Sequence, residues 1–372
     1  MLPYTSPGSA RAHQRLAMTT DTSLDIVFVH IDPCIRAEKE AFALTRRGHR
    51  VHLFCQGLNF QPNMRDICAS VTQYSSLDEL GSLLRNHSGF DIVHCHNEPN
   101  EPTVVALENT DRPVIYDCHD FRGLRQQLVG HEAETERRCF EDTAAVVHVS
   151  QGMVDLAADR YTSHRTMVLP SYPMLTAAPA KPLDKLDGTH VVYLGGLRDR
   201  GSIHYEYRNY LPFFEKLIEA GVHVHAYPAD QNPKNLATYM ALDAQSALFH
   251  LHDKLPYAEL LQDISQFQWG LSGFNFMDIT DENTLLFLNN ALPNKLFDYL
   301  IGGVCPVVVN CDTSGRWVEE HGLGYHADSM ETLVDIVCNR QPKPRLKDFG
   351  QVDMLEQVAN LESLYRRVLG KE

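Results

Sequence analysis

The sequence predicts an α/β protein made of two wound halves, each built on a parallel sheet, with a central cleft between them. Three observations carry this. Short apolar runs alternate with amphipathic helical stretches from residue 24 to 149. A stretch with four prolines at 170–188 (PSYPMLTAAPAKPLDKLDG) then breaks the periodicity. The alternation restarts at 191 and runs to 309. Strand–helix–strand alternation favours a parallel sheet, because each crossover helix covers a sheet face.

Taken in order, residues 1–22 lack an apolar signal core and read as a tail, with Met18 an alternative start. Residues 24–30 are the first strand. Over 36–47, Ala37, Ala41 and Leu44 recur at helical spacing, Gly48 stops the helix, and 49–54 resume strand character. Residues 91–96, 113–118 and 145–149 are further strands, with a helix ending near Asp142 between the last two. Together they form an N-terminal domain over 23–175. A linker over 176–188 leads to a second domain over 189–350. Its first strand, 191–194, ends in Gly195-Gly196. Residues 206–220 read as a helix with Tyr210, Phe213, Phe214, Leu217 and Ile218 on one face, and 222–227 as a strand. A proline-started helix over 256–267 precedes a strand over 269–274, and a helix over 293–301 runs into a strand over 304–309. Residues 351–372 hold a last amphipathic helix. Two such Rossmann-like domains place ligands at the carboxyl ends of their strands.

Composition narrows the function. At 372 residues, 44% hydrophobic and 22% charged, the chain is an ordinary globular protein. A net charge of −15 opposes broad binding to nucleic acid or an anionic bilayer, and no apolar stretch approaches the ~20 residues of a membrane span. Nine cysteines without a Cys-x-x-Cys pair read as reduced thiols of a cytoplasmic protein.

Five segments occur in a telling order: DIVHCH (91–96), VIYDCHD (114–120), AAVVHVSQGM (144–153), VVYLGGLRDRG (191–201) and ALPNKLFDYLIGGVCPVVV (291–309). The sequence resembles glycosyltransferases of the GT-B fold, and most of all glycosyltransferase family 4, the bacterial cell-surface polysaccharide enzymes. The resemblance spans about residues 24 to 345. It implies transfer of a sugar from a nucleotide-diphosphate donor to a glycan or lipid-linked acceptor. The nucleotide sugar is then a co-substrate, with no separate cofactor and no metal. It also implies an acceptor-binding first domain, a donor-binding second domain and a final helix that crosses back to the first. Cytoplasmic placement, with contact at the inner face of the cell membrane left open, goes with that reading.

Candidate residues follow. A donor pyrophosphate needs backbone N–H groups and cations placed without crowding. Gly195 and Gly196, with Arg198 and Arg200 behind them, offer both; the plain alternative is a strand-to-helix turn with solvated arginines. On the 293–301 helix, Asn294 sits at the N-terminus, and Lys295 and Asp298 share a face. The resemblance places Asp298 where a glutamate holds the donor ribose; the alternative is an exposed Lys-Asp pair. Eight positions earlier, Asn290 stands where many members carry a second glutamate, so no carboxylate acts there. The resemblance puts His119 against the transferred sugar with Asp120 beside it; a capping Asp and a satisfied loop histidine are the alternative. His94 and His96 share one strand face, but spacing supplies no third metal ligand. Asp32 and Arg36 after the first strand, and Asn97 and Glu98 after DIVHCH, are expected on the acceptor side. Ser150 reads as a helix N-cap. Two rivals remain: a sugar-nucleotide epimerase of the same fold, and a non-catalytic glycosyltransferase-like subunit.

Overall fold

Both wound halves form. The computed structural model describes residues 23–371 apart from 88, 175, 177, 180, 200–204, 278 and 345–348. The N-terminal tail and Arg200 lie outside the described residues.

The first sheet contains β1 (Asp25–Val29), β2 (Arg50–Cys55), β3 (Ser70–Gln73), β4 (Ile92–His96), β5 (Val114–Cys118), β6 (Ala145–His148) and β7 (Thr166–Val168). They run parallel in the order β3-β2-β1-β4-β5-β6-β7. The second contains β8 (His190–Gly195), β9 (His223–Pro228), β10 (Phe249–Leu251), β11 (Trp269–Gly273), β12 (Cys305–Val309) and β13 (Tyr325–Ala327), parallel in the order β10-β9-β8-β11-β12-β13. Every residue of β4, β5, β6, β11 and β12 is buried, which is why these strands are mostly apolar and do not alternate with solvent-facing polar residues. Each sheet reverses its order beside its first strand, between β1 and β4 and between β8 and β11. A crevice opens at such a switch point.

Four strands escape the sequence reading. β3, β7, β10 and β13 are three or four residues long and partly exposed, too short to show a period. The helix expected over 206–220 is two pieces, a 3-10 turn at Glu206–Arg208 and an α-helix at Leu211–Glu219. Pro212 lacks the N–H and starts the second piece rather than continuing the first.

The helix Met354–Val368 returns to the first lobe. Met354, Val358, Leu361, Leu364 and Tyr365 pack into the core of Leu24, Ile26, Phe28, Ala41 and Leu44. Burying each large side chain contributes about 1.5–3 kcal/mol. Arg47 bonds Glu362 at 2.8 Å, fixing the helix against Ile35–Arg46. At the lobe junction, Ser150 Oγ donates to the Asn290 carbonyl at 2.7 Å, and Phe121, Leu124 and Met153 share a core cluster with Tyr207, Phe287 and Leu288.

Gly273, the last residue of β11, has φ +88°, and a Cβ there would sit 1.9 Å from the Val309 carbonyl oxygen. That atom belongs to the paired strand and cannot step aside. Gly273→Ala is therefore expected to cost at least about 2 kcal/mol, with the second lobe unfolding first on urea titration; an unchanged midpoint would contradict the geometry.

Candidate active site

A cavity of about 630 Å³ lies between the lobes. Its walls come from the carboxyl ends of the strands: residues after β1 and β5 on one side, after β8 and β11 and from the helix Asn294–Gly302 on the other.

On the second-lobe wall, Gly195 and Gly196 leave the end of β8. A Cβ on Gly196 would lie 2.7 Å from Arg208 Nη1, so the bare glycine lets that guanidinium lie against the backbone. Arg208 lines the cavity, and its charge lies 5.3 Å and 5.5 Å from the Tyr205 and Tyr207 rings. No carboxylate pairs with it among the described residues. Arg198, the sequence candidate, turns elsewhere, with Nη1 3.1 Å from Asp230. The arginine in the cavity is thus ten positions further along, brought back by the turn Glu206–Arg208. Nothing in the local spacing marks it.

Pro293 caps the helix Asn294–Gly302, and Asn294 and Lys295 line the cavity at its N-terminus. Lys295 does not pair with Asp298. Its ammonium donates to Tyr210 Oη at 3.2 Å and lies 4.2 Å from the Tyr193 ring centroid and 5.8 Å from that of Phe274. Burial first, and then the Arg208 charge, push its pKa down to about 7. Two cations and a helix N-terminus thus face the cavity, with no carboxylate paired to either cation among the described residues, a set that suits an anion. Asp298 accepts from Tyr257 Oη at 2.5 Å; burial raises its carboxyl, with Lys39 of the first lobe pulling the other way.

On the first-lobe wall, His119 and Asp120 follow β5 and line the cavity. Asn97, fully buried, holds their loop: its Oδ1 accepts from the His119 and Asp120 backbone N–H at 3.0 and 3.2 Å. Beneath them lies a charged network. Arg36 is 2% exposed and grips Asp117 through Nε (2.9 Å) and Nη2 (2.9 Å), donates to the Leu169 carbonyl (2.7 Å) and meets Glu40 (3.0 Å). Burial disfavours the Asp117 anion, but the Arg36 charge, with His119 and His94 close by, outweighs it and holds the carboxyl well down. Burial drives the Glu40 carboxyl well up, against the pull of Arg36, and so favours its neutral form. His94 and His96 do meet Glu40 and Asp117, the partners that spacing could not supply, and the four ligating atoms lie within 4.8 Å of one another. The Arg36 guanidinium contacts both of those carboxylates and supplies the cation there.

The four residues expected on the acceptor side all have partners within the protein. Asp32 accepts from Asn59 N, Asn59 Nδ2 and Phe60 N, tying down that loop, and does not line the cavity. Glu98 pairs with Arg125, and Arg125 itself reaches the cavity, 5.7 Å over Phe287. Arg36 lines the cavity while its guanidinium is engaged with Asp117 and Glu40, and Asn97 supports the wall from behind. Asn290 is not in the cavity wall; its side chain bonds the Leu286 carbonyl (2.9 Å) and Thr313 Oγ1 (3.2 Å) at the lobe junction. Cys34, half-buried at the start of the helix Ile35–Arg46, lines the cavity and was not read from the sequence.

Known proteins share this fold. The model of Glycosyltransferase Family 4 matches residues 37–171. No curated protein sequence matches the chain. Among solved structures, a glycosyltransferase from Rickettsia africae is similar with a TM-score of 0.66 at 10% identity, covering 94% of this chain and 100% of that one. AviGT4, a glycosyltransferase involved in avilamycin A biosynthesis, gives 0.57 at 11% identity over 94% and 99%. The UDP-GlcNAc 2-epimerase of Methanocaldococcus jannaschii, in complex with UDP-GlcNAc and UDP, gives 0.55 at 12% identity over 92% and 99%. At such identities the likeness is one of fold. Two parallel sheets and a shared cleft give the chain the GT-B fold, and its first lobe is similar to Glycosyltransferase Family 4 over residues 37–171.

Proposed function

We propose that the protein is a glycosyltransferase that moves a sugar from a nucleotide-diphosphate donor to a hydroxyl of a glycan or lipid-linked acceptor, in polysaccharide or glycoconjugate synthesis. The observation that carries this is the uncompensated pair Lys295 and Arg208 at the N-terminus of Asn294–Gly302, facing the cavity. Such a site suits the leaving diphosphate, whose charge grows as the glycosidic bond breaks. Asp298, beside Tyr257, offers acceptor oxygens to the donor's ribose hydroxyls. The first-lobe wall, with His119, Asp120 and Arg125, faces the sugar and the incoming hydroxyl. Among the described residues no helix is long and apolar enough to cross a membrane. Contact with a lipid-linked acceptor then occurs at a surface.

The test is thermal shift with UDP, GDP and ADP and their sugars. One nucleotide diphosphate is expected to raise Tm, since a ligand at 100 times its Kd stabilises by about 2.7 kcal/mol. No shift with any of them would end the proposal. The epimerase reading keeps a place because two-lobed epimerases are among the similar structures. Product analysis without acceptor separates the two: an epimerase gives an isomerised nucleotide sugar, a transferase only slow release of free sugar and nucleotide.

A further inference from the structure

Cys34 differs from every other cysteine in the chain. Cys55, Cys68, Cys95, Cys118, Cys139, Cys305 and Cys311 are buried, and burial holds their thiols up. Cys338 is exposed and its thiol is also raised by desolvation. Cys34 opens onto the interlobe cavity. It occupies the N-cap of the twelve-residue helix Ile35–Arg46, where the helix dipole favours an anion. Its Sγ lies 3.9 Å from His119 Nε2, and His119 Nδ1 lies 3.6 Å from Asp117 Oδ1. Thiol, imidazole and carboxylate thus follow one another at 3.9 and 3.6 Å, the order of an activated nucleophile.

We propose that Cys34, with His119 and Asp117 behind it, is a reactive thiolate site that takes hydroperoxides and other soft electrophiles entering from the cleft. The charged neighbours agree. His30 at the end of β1 and His119 after β5 both reach Cys34 and oppose the burial that would keep it protonated; the thiol lies well below its usual range. Arg36 and Lys39 on its own helix add positive charge, and Glu40, held neutral, adds little against it. His119 is in turn charged: burial works against its imidazolium, but Cys34 and Asp117 prevail. In the reaction the sulfur anion attacks one oxygen of the peroxide. An S–O bond forms, the O–O bond breaks and takes the electron pair, and the imidazolium proton of His119 goes to the departing oxygen. Hydrogen peroxide leaves as water and Cys34 becomes a sulfenic acid, two electrons oxidised.

The test uses the whole protein with iodoacetamide, followed by peptide mass spectrometry at each pH from 5 to 10. Cys338 serves as the internal ordinary thiol. Alkylation of Cys34 is expected to be half-maximal below pH 7 and, at pH 6, more than tenfold faster than that of Cys338. His119→Gln is expected to move the Cys34 midpoint up by more than one pH unit. A Cys34 profile that follows that of Cys338 in the wild type overturns the proposal, and so does a midpoint that ignores the loss of His119. A second arm treats the protein with hydrogen peroxide and traps sulfenic acid with dimedone. Adduct is expected at Cys34 before Cys338, and the reverse order counts against the site. None of these readings requires nucleotide to bind, so failure of UDP binding would end the transferase reading and leave this one standing.

Discussion

Lys295→Met is expected to abolish nucleotide diphosphate binding and to lower kcat/KM at least 100-fold, while making the ligand-free protein more stable. The two effects share a cause. The ammonium sits among Tyr193, Tyr210 and Phe274 with Arg208 nearby and no carboxylate partner among the described residues. A diphosphate would supply the missing anion; a 100-fold loss is about 2.7 kcal/mol of transition-state stabilisation. Without ligand, the folded pKa of about 7 lies below the ~10.4 of an unfolded lysine. Between those values the unfolded chain binds a proton that the folded chain does not, so this residue's contribution to stability rises with pH across the window. The Tm advantage of Lys295→Met is therefore largest at pH 7 and below and fades towards pH 10. Binding of UDP at pH 8 is expected to take up a proton, read by calorimetry in two buffers of different ionisation enthalpy. Full binding by the methionine variant, or no proton uptake by the wild type, would remove Lys295 from the site.

Arg36→Met is expected to cost about 3–5 kcal/mol, because it strands the Asp117 carboxylate in a dry interior. Asp117 has 0% exposure and the guanidinium gives it its main compensating charge. Glu40→Gln is the matching control. Glu40 touches the same guanidinium, yet burial raises its carboxyl and favours the neutral form, so an amide of the same shape is expected to change stability by less than about 1 kcal/mol. Urea midpoints measure both. Equal losses for the two variants would mean that Glu40 is charged and the network is balanced in another way.

The fold was legible in this sequence where burial was complete. β4, β5, β6 and β12 are buried along their whole length because both sheet faces are covered, so apolar residues dominate them around the few buried polar ones (His94, His96, Asp117, His148), and Gly48 and Gly221 stop their helices with φ of +95° and +80°. The edge strands were lost because an edge needs little hydrophobicity. The site divides along another line. Lys295, Asp298, Gly195, Gly196, His119 and Asp120 follow strand ends or start a helix, and the structure places all of them on one cavity. Arg208, Arg125, Tyr257 and Cys34 join them through the folding of distant segments, which no local spacing encodes. Asp32 and Asn97 show why such readings go astray. A polar side chain just past a strand suits a ligand and a loop clamp equally, and here each clamps a loop.

The return of Met354–Val368 to the first lobe means that the polypeptide bridges the two bodies twice. The bridges touch: Met354 N–H donates to the Pro173 carbonyl at 3.0 Å, and Tyr172 lies edge-on to Phe297 with ring centroids 5.0 Å apart. Paired straps set side by side act like the spine of a book. Two crossings in contact restrain the placement of one wall against the other more than a single linker would.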